Sequence, residues 1–149
     1  MKAIVIAATL GVAAAPAAAA EWRFFEEDGR SVLAVDGGNL AFRCQGGSEM
    51  VAAIALDGDV LSALSVDTRR VKELSADVVV GENAYEERLA YLPNAKLVFA
   101  TRGMAKKMFN AAIRGDAISV DVGRRGAAEI APPAADAASF NAFKDACVK

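Results

Sequence analysis

Cys44 and Cys147 are the only thiols in a chain of 149 residues that contains no histidine. Imidazole is the usual base and metal ligand of hydrolases, so its absence removes Ser-His-Asp and Cys-His catalysis and every histidine-ligated metal centre. A serine–lysine mechanism has no foothold either. None of the seven serines is followed three positions later by a lysine, which is the spacing of S-x-x-K enzymes. Phosphate cradles of the G-x-x-x-x-G-K-[ST] and G-x-G-x-x-G types are missing, and Gly37-Gly38 and Gly46-Gly47 read as turn residues. The cysteines lack C-x-x-C spacing, and structural zinc sites gather four Cys or His ligands at short intervals. No cofactor is expected.

Acids remain. Glu26-Glu27-Asp28 and the group Glu82, Glu86 and Glu87 are the clusters available to a two-carboxylate hydrolase, which needs two such groups flanking one bond. On a half-polar sheet, runs of this kind are more simply solvated. Asp57-Gly58-Asp59 begins like a calcium loop, but Thr68 stands where an EF-hand closes with glutamate. A hairpin turn is the simpler reading. Arg102, Lys106, Lys107 and Arg114, with Arg124-Arg125 beyond them, form the candidate contact patch. They offer a positive surface to an acidic partner or envelope polymer, or else the ordinary solvated face of a helix. A net charge of −2, with one Trp and two Tyr, does not supply the basic face and stacking aromatics of general nucleic-acid binding.

The elements that must position these residues follow from hydropathy. Ser31 to Val35, Asp36-Gly37-Gly38-Asn39 and Leu40 to Cys44 predict a β-hairpin, because Gly and Asn accept positive φ. Met50 to Leu56, Asp57-Gly58-Asp59 and Val60 to Val66 predict a second. Val71 to Val80 alternates, with Leu74, Ala76, Val78 and Val80 on one side and Glu73, Ser75 and Asp77 on the other. Tyr85, Glu87, Leu89 and Tyr91 alternate within Glu82 to Pro93, and suggest an edge strand. Lys96 to Ala100 and Ala117 to Val122 read as strands, the latter with Ile118, Val120 and Val122 inward and pairing with Ala127 to Ile130.

Two stretches change period. Met104, Ala105, Met108, Phe109, Ala112 and Ile113 recur at three and four, with Gly115 as the stop, and predict an amphipathic helix. After Pro132-Pro133, Asp136 is the candidate N-cap of a closing helix whose stripe is Phe140, Phe143 and Cys147. Cys44 shares a strand face with Leu40 and Phe42, and Cys147 shares a helix face with Phe140 and Phe143. Both thiols aim at one core, so a structural Cys44–Cys147 disulfide is expected. Trp22, Phe24 and Phe25 belong to a first strand of that core, or else to an exposed aromatic contact.

The first twenty residues stand apart. Met1-Lys2, an apolar run from Ala3 to Ala15 and Ala18-Ala19-Ala20 read as a secretory signal cleaved after Ala20. The remaining residues, 21–149, suit one exported domain. They contain no apolar segment of the ~20 residues that a membrane span needs. The expected fold is α+β: a mostly antiparallel sheet or small sandwich of about seven or eight strands, with two helices on one side and one disulfide.

This layout resembles a known one. Leu40-Ala41-Phe42-Arg43-Cys44-Gln45, the apolar strand Val51 to Leu56, Ser65-Val66-Asp67-Thr68-Arg69, the helix Met104 to Ile113 before Gly115, a strand pair and a final Ala146-Cys147 resemble the element order of TagO/VasI-like periplasmic proteins associated with type VI secretion. The helix, glycine, strand pair and final Cys are also similar to invasion-associated protein B-like periplasmic proteins. The resemblance implies a small periplasmic or secreted domain without catalysis, which acts through contacts with another envelope protein. The alternatives are a small-ligand carrier and a carboxylate hydrolase.

Overall fold

Asp28 and Gly29 both take positive φ, 53° and 76°, the backbone of a two-residue type I′ turn whose twist matches the strands it joins. That turn connects β1 (Trp22–Glu27) to β2 (Arg30–Val35) and pairs Glu27 with Arg30 and Trp22 with Val35. The computed structural model describes residues 20–45, 49–65 and 70–148. The proposed signal segment therefore lies outside the described residues, apart from Ala20.

The predicted hairpin across Asp36 to Asn39 is present, with β2 antiparallel to β3 (Leu40–Gln45). After it come β4 (Val51–Ala55), β5 (Lys72–Val80), β6 (Asn83–Leu92), β7 (Leu97–Thr101), β8 (Ile118–Asp121) and β9 (Ala127–Ile130). These nine strands form one sheet in the order β1-β2-β3-β4-β7-β6-β5-β8-β9. Every neighbouring pair is antiparallel. The α+β class read from the sequence holds.

The main core lies on one face of this sheet, under α2 (Arg102–Arg114) and α3 (Ala137–Val148). Met104, Ala105, Met108, Phe109 and Ala112 are buried as their spacing predicts. Ile113 is not: it is 42% exposed, and Ala111 is buried in the last turn instead, before Gly115 ends the helix with φ 77°. Asp136 accepts a hydrogen bond from the Ser139 N–H at the start of α3, and the Ser139 hydroxyl also donates to it. These bonds hold the Asp136 carboxyl below the usual range. Phe140 and Phe143 are buried, and Cys147 reaches Cys44 in a disulfide with a Cα–Cα distance of 5.7 Å. The bridge joins residues 103 positions apart, and pins α3 onto β3.

Trp22 settles the reading of the first strand. It is 6% exposed, stacks on Phe42, meets Phe140 edge-on, and donates its indole N–H to the Pro133 carbonyl at 3.0 Å. It belongs to the core. Phe24 packs partly against the same cluster, whereas Phe25, one position on, faces the opposite side.

Two expectations are corrected. Val60 to Val66 is not a strand: α1 (Val60–Leu64) is a short helix, and residues 66–69 lie outside the described part. The β4 edges are both occupied, by β3 and β7, so no place is left for a hairpin partner. Asp59 instead caps the helix, accepting from the Leu61 N–H at 3.3 Å and from the Ser62 hydroxyl at 3.2 Å. Asp57-Gly58-Asp59 is thus a strand-to-helix turn. The second correction is β6, which is not an edge strand. It pairs with β5 from Asn83 to Tyr91, and its last residues, Ala90 to Leu92, pair with β7 on the other side.

Candidate functional site

Strand parity puts Arg23, Phe25 and Glu27 of β1, Arg30 and Val32 of β2, and Arg43 of β3 on the sheet face opposite the main core. The register sets Phe25 beside Val32, Val32 beside Arg43, and Glu27 beside Arg30. This outer face has its own smaller cluster, in which Val32, Ala34, Ala41, Ala53, Ala55 and Leu97 pack under Val60 and Ala63 of α1. Beyond the end of α1 the apolar cover stops. There the arginines, Phe25, Leu61 and Leu64 line an open cleft of about 480 Å³, a volume within the ~300–1,000 Å³ of ordinary ligand sites.

Each arginine is held differently. Arg23 lies 4.8 Å from the Phe25 ring centre and reaches Asp36 at 3.9 Å, a long contact between exposed groups. Arg43 is half-buried, with its guanidinium 5.5 Å from the centre of the Phe99 ring. Burial makes its charged form costly and the neighbouring Arg30 adds repulsion, so its pKa is lowered from the ordinary arginine value. Among the described residues, no carboxylate lies within ion-pair distance of Arg30 or Arg43. Two guanidinium groups thus share one cleft without a direct ion pair, although Glu27 and Asp28 also line it.

The basic residues singled out in the sequence do not gather in this way. Arg102 pairs with Glu49 at 3.6 Å, and Arg114 with Asp116 at 2.8 Å. Lys107 lies over Tyr85 and Arg125 over Tyr91, each at 5.5 Å from the ring centre. These tyrosines are six positions apart on β6, roughly 20 Å at strand rise. Lys106 and Arg124 are exposed. The six residues spread over α2 and the β8–β9 turn.

The acidic clusters are divided by the same parity. Glu26 and Glu87 point to the main-core side, whereas Glu27 and Glu86 point to the outer face, and Asp28 sits in the turn. Glu86, Asp77 and Asp121 form a row across three adjacent strands of that outer face, all exposed. Among the described residues, no group of three or more Asp, Glu or Cys side chains is placed to hold a metal ion.

Sequence reading missed the arginine cleft, although its signals were present. Asp28-Gly29 marks a tight turn that sets the β1–β2 register, and the residue preceding Cys44 must face away from the core that Cys44 enters. Together they align Arg30, Arg43 and Phe25. No family model matches the chain, and no curated protein or solved structure matches it.

Proposed function

We propose that this is a non-catalytic contact module of the cell envelope, exported through its N-terminal signal, which acts by binding another envelope protein. The carrying observation is the cleft over β1–β3, where arginines from three neighbouring strands stand beside Phe25, Leu61 and Leu64. Arginine and aromatic side chains are the residue types most enriched at interface hot spots. Carrier pockets, by contrast, are mostly apolar and enclose their ligand, whereas this cleft is open and largely charged.

Export is supported by the disulfide, a bond that persists in oxidising compartments. No helix among the described residues is long and apolar enough to cross a membrane. The resemblance in element order to TagO/VasI-like proteins makes a secretion component the first partner to look for. The test is a cross-linked pull-down of the tagged protein from intact cells, read by mass spectrometry against a Cys44→Ser/Cys147→Ser control. Enrichment of one envelope protein that is lost with the control is the expected result. Absence of any specific enrichment would end this reading.

A further inference from the structure

We propose that Arg30 and Arg43 are the anchor for an acidic segment of the partner protein, and that they grip one of its carboxylates while Phe25, Leu61 and Leu64 receive the adjoining apolar side chain. This rests on the reading of the protein as a contact module. The register places Arg43 two strands from Phe25, with Val32 between them, and Arg30 at the next outward-facing position of the same strand as Val32. A carboxylate entering here meets two planar donors, and guanidinium–carboxylate pairs form paired, charge-assisted hydrogen bonds.

Arg43 is restrained by its contact with the Phe99 ring, so less side-chain freedom remains to be lost on binding. Half-burial and the repulsion from Arg30 disfavour its charge in the free protein, and an incoming anion offsets the repulsion. The rim selects among anions. Glu27 and Asp28 line the cleft beside the arginines, and would repel a dianionic phosphate more than a singly charged carboxylate. The apolar wall rewards an anion carried on a peptide rather than a free ion.

The arginine Nε–H signals of the exported, ¹⁵N-labelled protein report binding directly. The probe is the blocked peptide acetyl-Glu-Leu-Asp-Glu-amide, with acetyl-Gln-Leu-Asn-Gln-amide and inorganic phosphate as controls. Saturable shifts of the Arg30 and Arg43 signals with the acidic peptide are expected, weakened by added salt and absent with the amide peptide. Arg43→Gln and Arg30→Gln should each lower affinity about tenfold or more, and Arg43→Lys should lie between. Should Arg43→Gln not fold, Arg30→Gln carries the test alone.

Absence of saturable shifts, unchanged affinity in the Gln variants, or phosphate binding as tight as the peptide would overturn the proposal. A partner captured equally well by Arg30→Gln/Arg43→Gln would overturn the anchor while leaving the contact module intact. Peptide binding at the arginines without any captured partner would support the anchor and count against the module.

Discussion

The two halves of the sheet are built on different terms. Strands β2, β3, β4 and β7 are covered on both faces, by α2 and α3 on one side and by α1 on the other. In β2 every residue from Ser31 to Val35 is buried, and in β4 every residue from Ala52 to Ala55. Strands β5, β8 and β9 are covered on one face only, so Ala76, Val78 and Val80 are buried while Ser75, Asp77 and Val79 are exposed. The outer face of this second half is acidic, and the arginine cleft opens at the far end of the first. One continuous sheet thus supplies a packed, positively charged end and a solvated, negatively charged end.

The sharpest way to break this comparison is to remove volume from both halves. Phe42 is fully buried in the covered half, and Phe42→Ala should cost about 3–5 kcal/mol. Val79→Ala on the outer face of β5 should stay within about 0.5 kcal/mol. Urea unfolding of both variants tests this, and equal losses would show that the outer face of the second half is packed after all. Next in size is the disulfide, which ties two elements of the covered half together. Replacing both cysteines by serine should cost about 2–4 kcal/mol, seen as a lower unfolding midpoint that reducing agent reproduces in the wild type.

The cover on the outer face depends on α1, and α1 on its cap. Asp59→Ala should lose about 1 kcal/mol, whereas a strand at Val60–Leu64 would make that substitution nearly neutral in the same urea titration. The smallest effect belongs to the acidic end. Glu86, Asp77 and Asp121 stand directly beside one another, and like charges so placed repel. Asp77→Asn should therefore raise stability by about 0.2–1 kcal/mol at low salt, and the gain should fade in a thermal melt at high ionic strength.

The same contrast explains what could be read from the residues alone. One-sided strands announce themselves by alternation, so Val71 to Val80, Ala117 to Val122 and the pairing with Ala127 to Ile130 were legible to within a residue or two at either end. The helix at Met104 and the stripe of Phe140, Phe143 and Cys147 carried the period of a helix, and with Cys44 they indicated the disulfide. Two-sided burial erases alternation. In the short apolar stretch Val60 to Leu64, after Asp57-Gly58-Asp59, nothing in hydropathy separated a strand from a one-turn helix, although Asp59 was available as a cap. The interior place of β6 was hidden for another reason, since strand order depends on which edges its neighbours have already filled. The cleft stayed hidden because no single segment contains it: its arginines come from three strands, and only the register brings them together.

The central claim is that contact with a partner is made at the arginine end of the outer face. It is tested most directly by photo-cross-linking in intact cells, with a photoreactive residue placed at Leu61 on the apolar wall of the cleft or at Ser75 on the acidic half. One envelope-protein adduct is expected from position 61, abolished by Arg43→Gln, and none from position 75. The same adduct from position 75, or none from position 61, would contradict it.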